Sequence, residues 1–211
     1  MNKDFGLCST YDQVLSVPAL APDSIVKGSA QFRSRQRLPV LTYLHTNAAA
    51  IVRCAQPMAG ANNRSAEGKF KIVMFFKWTH DLISDEKYFE YLVETSRSKS
   101  NGLIVDTRPM LNAMANRAQG KGYENAEHYT KCEFQFLGIE NIHVMRKSLE
   151  KLENEGWLKA DWLNHVYAVL DVSNKVKHAI SEGRTVIVHC SDGWDRTSQV
   201  CSGKITKNWL N

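Results

Sequence analysis

At 211 residues, 43% hydrophobic and 23% charged, the chain is long enough for one good-sized core and has the composition of an ordinary globular protein. Its net charge of +5 suits an anionic substrate or surface but falls far short of a nucleic-acid-binding tail, so no nucleic-acid partner is expected. Five widely spaced cysteines, Cys8, Cys54, Cys132, Cys190 and Cys201, with no CxxC pair, indicate neither a disulfide framework nor a zinc site and point to a reducing compartment. The opening "MNKDFGLCSTY" lacks the apolar core of a signal peptide, and no apolar run approaches the roughly 18 residues of a membrane span.

In chain order, "PDSIVKGSAQF" predicts a short helix starting at Asp23 or Ser24, either of which can cap it. "LPVLTYLH" and "AAAIVRCA" predict an antiparallel hairpin around "TN", weakened by the lack of Gly after Asn47. "DEKYFEYLVETSRSK" carries acids in its first turn and bases in its last, the favourable sense for a helix dipole. "GLIVDTRP" reads as a buried strand stopped by Pro109, which suits the start of the next helix, "PMLNAMANRAQ". Two amphipathic helices follow, one marked by Ile142, Met145, Leu149 and Leu152, the other by Trp162, Val166, Val169, Val172, Val176 and Ile180; these positions are expected in the core. Gly183 closes the second helix, and "TVIVHC" is then a strand buried on both faces. Strands alternating with helices give an α/β class.

The end of that last strand carries the chemistry. "HCSDGWDRT" places Cys190 six positions before Arg196, with Gly193 between them and a helix expected from Arg196. A strand, a short loop and a helix start aim backbone amides at an anion, and a thiol at the loop's mouth has its thiolate stabilised by the same groups. Cys190 is then a nucleophile and Arg196 a bidentate clamp for phosphoryl oxygens. Asp192 and Asp195 are the nearest carboxyls able to protonate a leaving alkoxide, Ser191 and Thr197 can stabilise the thiolate, and His189 can orient the Cys190 backbone. The other four cysteines read as small buried hydrophobes, and Arg33, Arg35 and Arg37 as solvated or structurally paired rather than membrane-facing.

The whole string "HCSDGWDRT" resembles the active-site loop of the myotubularin family of phosphoinositide phosphatases. "CSTY", "FRSRQRLPVL", "NAMANRAQGKGYE", "CEFQFLGIENIHVMRKSLEKL" and "GWLKADWLNHV" resemble that family's catalytic domain in the same order, so that residues 1–211 read as a partial domain of it. The resemblance implies a protein tyrosine phosphatase-like fold, a central mixed sheet flanked by helices, here carboxy-terminally truncated. It implies removal of the 3-phosphate from phosphatidylinositol 3-phosphate and phosphatidylinositol 3,5-bisphosphate without a metal or other cofactor. It also implies a cytoplasmic enzyme peripheral at endosomal membranes, and a homo- or heterodimer with other myotubularins. Carried over by motif, Cys190 is the nucleophile, Arg196 binds phosphate and Asp195 is the acid. Ser191, Asp192, Gly193, Trp194, Asp195 and Arg196 contact the headgroup, as do Asn116, Asn141 and the neighbouring Ile142.

Two stretches depart from the family, "GKFKIVMFFKWTHDLIS" at 68–84 and "GKITKNWLN" at 203–211. Both begin with Gly-Lys, codons for which contain a splice donor, and both are expected to be translated introns. The "KIVMFF" window is expected in a connecting loop. Two other functions are weighed: a protein tyrosine or dual-specificity phosphatase, disfavoured by two loop aspartates that would repel an acidic phosphopeptide, and an inactive scaffold, disfavoured by the retention of Cys190, Asp195 and Arg196.

Overall fold

Two short strands, β1 (Val40–Leu44) and β2 (Ala50–Cys54), open a five-stranded sheet in the computed structural model, which describes residues 2–60, 69–96 and 100–208. With β3 (Gly102–Asp106), β4 (Cys132–Phe136) and β5 (Val186–His189) the spatial order is β1-β2-β5-β3-β4. β1 is antiparallel to β2, while β2, β5, β3 and β4 run parallel, so the sheet is mixed and β5 lies at its centre. The apolar run in "TVIVHC" is the reason for that place: every residue of β5 is buried, as a strand covered on both faces requires.

Side chains alternate across a strand, so each central strand feeds two cores. Val52, Ile104 and Ile187 pack with α1 (Asp23–Phe32) and α2 (Lys69–Thr95) through Val26, Ala30, Tyr88, Phe89 and Leu92. Ile51, Leu103, Val105, Val186 and Val188 pack with α5 (Trp162–Ser181) and α6 (Arg196–Asn208) through Val172, Val176, Ile180, Val200 and Cys201. Burying one such aliphatic side chain is worth about 2 kcal/mol, so both layers contribute heavily.

The first helix starts at Asp23 as expected, but its N-cap is Pro22 and no side chain caps it; Asp23 acts instead as an acid in the first turn. The hairpin forms with a longer turn than "TN": the His45 amide donates to the Ala49 carbonyl, and Ala48 takes φ +70°, the left-handed conformation for which Gly is suited. Asn47 steadies it by accepting from the Ala49 amide and donating to the Ile180 carbonyl.

The expectation of a connecting loop around "KIVMFF" is corrected, because α2 runs unbroken from Lys69 to Thr95. Propensity differences below about 1 kcal/mol per residue yield to tertiary contacts. Here Trp78 meets Phe32 edge-on at 6.0 Å and donates its indole N–H to the Met58 carbonyl at 2.9 Å. Ser84 lies so close to Gly28 that a Cβ on Gly28 would fall 2.4 Å from the Ser84 Cβ. The acids expected in the first turn, Asp85 and Glu86, lie instead in the middle of α2, which starts at Lys69, and the bases expected in its last turn, Arg97 and Lys99, lie outside the described residues.

Helix α3 (Met110–Arg117) starts directly after Pro109, and α4 (Ile142–Glu155) and α5 match their apolar periodicity. The expectation that this periodic face is all core is also corrected. Val172, Val176 and Ile180 reach the sheet, but Trp162, Val166 and Val169 are half-buried and Ile142 is exposed, because α4 packs on the first half of α5 rather than on a strand. The strand β4 was not foreseen, although "CEFQF" alternates apolar and polar residues.

Candidate active site

Strand β5 delivers Cys190 to the carboxyl edge of the sheet, where residues 191–195 turn into α6. The carboxyl ends of parallel strands are where open α/β sheets bind ligands. Burial alone would raise the Cys190 pKa, but the hydroxyl and amide of Thr197, the Arg196 guanidinium and the Gly193 amide outweigh it and hold the thiol below its ordinary value. Thr197 is fully buried. Arg196 donates to the Ser191 hydroxyl at 3.2 Å, while its Nε is buried without a protein partner among the described residues. That donor is free for an anion.

The loop is held from outside. Gly193 takes φ +72°, and a Cβ there would lie 2.3 Å from the Cys54 carbonyl oxygen, so no other residue fits. Its carbonyl accepts from Arg53 and, at 3.5 Å, from Arg37, while its amide and that of Thr197 face the Cys190 thiol. Arg53 also donates to the Ser198 hydroxyl. Asp192 is engaged as well: its carboxylate accepts from the Ser34 hydroxyl at 2.9 Å and from Arg35 Nε at 3.2 Å. The same Arg35 guanidinium lies 4.8 Å from the centre of the Trp194 ring, which remains 45% exposed at the mouth. Asp195 accepts from the Gln199 side chain at 2.6 Å, so of the two carboxyls considered as acids it is the one not tied to an arginine.

A cavity of about 260 Å³ opens beside the loop, lined by Arg108, Asn112, Ala115, Asn116, Asn141, Ser191 and Arg196. Asn116 sits in the last turn of α3. Asn141 caps α4, its side chain accepting from the His143 and Val144 amides, and it lines this cavity as well. The structure thus gathers Asn116, Asn141, Ser191 and Arg196 around one space. Ile142 is not among its lining residues; it faces the apolar groove between α4 and α5 with Met145 and Trp162.

Beneath the loop, His189 Nδ1 lies 3.1 Å from the Cys190 carbonyl oxygen and Nε2 lies 3.0 Å from Glu124. Burial would lower the His189 pKa, but the charges of Glu124 and Asp106 outweigh it and raise it. Glu124, although buried, is held well below the usual carboxylate range by His189 and Arg33. Arg33 is itself fully buried, bridging Glu124 and Asp85, and Asp85 also accepts from Ser29 and Tyr129. Arg33 and Arg37 are therefore structural, as expected, whereas the site roles of Arg53, Gln56 and Arg108 were missed. The Asp-x-Arg spacing of "DTRP" was the available signal: Arg108 pairs with Asp106 through two nitrogens and faces the cavity.

A thiol held below its ordinary pKa, beside the Gly193 and Thr197 amides and an arginine whose Nε has no partner among the described residues, at the carboxyl end of a central parallel strand, is the equipment of a cysteine-dependent phosphatase. The sequence as a whole makes the assignment narrower: residues 1–205 match the myotubularin-like phosphatase domain, and the chain belongs to that family. It is similar to phosphatidylinositol-3,5-bisphosphate 3-phosphatase MTMR8 of Gallus gallus, with 44% identity over 96% of this chain and 32% of the relative. It is also similar to phosphatidylinositol-3,5-bisphosphate 3-phosphatase MTMR6 of Homo sapiens, with 44% identity over 95% of this chain and 32% of the relative. Phosphatidylinositol-3-phosphate phosphatase MTMR7 of Homo sapiens is 42% identical over 96% of this chain and 30% of the relative. The chain spans about a third of the length of the curated relatives it matches.

Proposed function

We propose that this site, on a protein tyrosine phosphatase-like fold, removes the 3-phosphate of phosphatidylinositol 3-phosphate and phosphatidylinositol 3,5-bisphosphate. The observation that carries the proposal is the buried Arg196 Nε, a donor without a partner among the described residues, beside a thiol of lowered pKa. Names of the relatives supply the lipid. In the first step Cys190 Sγ bonds to phosphorus as the bond to the inositol oxygen breaks, and Asp195 gives its proton to the departing alkoxide. Arg196 and the inward amides hold the equatorial oxygens as charge spreads over them. Water then attacks the cysteinyl phosphate, Asp195 takes a proton from it, and the S–P bond breaks to release phosphate and the thiolate.

Because these substrates sit in bilayers, the proposal includes a cytoplasmic protein working peripherally at endosomal membranes, with dimerisation among myotubularins as a further part of it. The experiment is phosphate release from short-chain phosphatidylinositol 3-phosphate. Cys190→Ser is expected to abolish release, and Asp195→Asn to slow it about 10²- to 10⁴-fold, the usual worth of a general acid. A folded wild-type chain that releases nothing would sink the proposal and leave the scaffold alternative.

A further inference from the structure

Gln56 lies just beyond β2, between the cysteine loop and the cavity wall, and it is fully buried. Its backbone joins two parts of the loop's support: its amide donates to the Ser191 carbonyl at 2.9 Å, and its carbonyl accepts from the Ser34 amide, beside the hydroxyl that holds Asp192. Its side-chain oxygen accepts from Arg108 Nη1 and from Asn116 Nδ2, the latter at 3.4 Å. The side-chain Nε2 is buried with no partner among the described residues. A buried amide with an unpaired donor is costly, and Met or Leu would fill the same volume without that cost. What neither could supply is an acceptor shared by two residues of the cavity wall.

We propose that Gln56 is a positioning residue for headgroup recognition, setting Asn116 and Arg108 at a fixed distance from the Cys190–Arg196 loop. This inference rests on the proposed phosphoinositide activity and adds to it the residue that couples the two halves of the site. Arg108 is anchored by Asp106 Oδ1 and Oδ2 and by the Gly122 carbonyl, so its remaining donor gives Gln56 a rigid reference. Asn116, near the end of an eight-residue helix, has no comparable anchor, since Gln56 is its only side-chain hydrogen bond among the described residues. Losing the Gln56 oxygen therefore frees Asn116 while the backbone bond to Ser191 survives. Headgroup binding and phosphate binding are expected to separate.

The test measures, by calorimetry on the full chain carrying Cys190→Ser, the affinities for inositol 1,3-bisphosphate and for inorganic phosphate. Gln56→Met is expected to weaken the headgroup about tenfold, one lost hydrogen bond, and phosphate less than about twofold. Asn116→Ala should give the same loss of preference, and the double variant little more than either alone, because the two residues act as one unit. Gln56→Glu keeps an acceptor and should retain the preference within about threefold, even if its charge weakens both ligands. An equal fall for both ligands in Gln56→Met, or no fall, overturns the proposal. So does a Gln56→Glu variant that loses as much preference as Asn116→Ala, which keeps the proposal testable should the Met variant fail to fold. A parent chain with no preference for the headgroup over phosphate would instead sink the phosphoinositide reading, and this inference with it.

Discussion

Thr197, through its hydroxyl and its amide, acts with Arg196 and the Gly193 amide to hold the Cys190 thiol below its ordinary pKa. The thiolate is the reactive form, so alkylation by iodoacetamide accelerates as pH rises through the thiol pKa. A lowered pKa means that the plateau is reached below the pH at which an ordinary thiol reaches it. Thr197→Val removes the hydroxyl contribution and keeps the amide, so the midpoint of the Cys190 rate profile is expected to move to higher pH without vanishing. An unmoved midpoint would show that the amides and Arg196 alone set the pKa. Cys190, Arg196 and Thr197 were legible in the sequence because their spacing, set within one turn of chain, is local. Gln56, Arg53 and Arg108 were not, because their roles depend on which strand ends lie side by side, and no spacing within the chain records that.

At the scale of elements, the strands β1, β2, β3 and β5 and most helices followed from apolar periodicity and from Pro109 and Gly183. Helix α2 followed only from Asp85 onward; its first part did not, because its composition suits a strand equally, and contacts with α1 decide the matter. The described buried residues of α2 lie from Asp81 onward, and the sheet-facing ones, Tyr88, Phe89, Leu92 and Val93, all follow Asp85. We propose that 68–84 is an insertion into the family domain. A chain joining Glu67 to Asp85 should then melt within about 5 °C of the parent, since 1 kcal/mol moves the midpoint about 2–4 °C at this size. A drop beyond about 10 °C, followed by circular dichroism, would mean that Trp78 and Ser84 are integral to the packing of α1.

For the whole molecule, Arg33 joins parts that are distant in sequence: α1 carries its neighbours, Asp85 belongs to α2, and Glu124 reaches His189 under the loop. Removing one partner of a buried ion pair strands the others, so Arg33→Met is expected to cost about 3–5 kcal/mol in denaturant unfolding. The mixed sheet with helices on both faces could be anticipated as an α/β class, but this buried charge network could not. Arg33 was read with Arg35 and Arg37 as one cluster, whereas only Arg35 is exposed, and the three point to three different partners.

Arg53 and Arg37 occupy the Gly193 carbonyl, while the Gly193 and Thr197 amides and the Arg196 guanidinium act on the Cys190 thiol. Such donors do not distinguish an ester from a free tetrahedral oxyanion of the same size. Orthophosphate, the product itself, therefore competes with substrate for the place beside Cys190, as would vanadate or sulfate in the buffer, so turnover slows as phosphate accumulates and ionic composition becomes part of any rate measured.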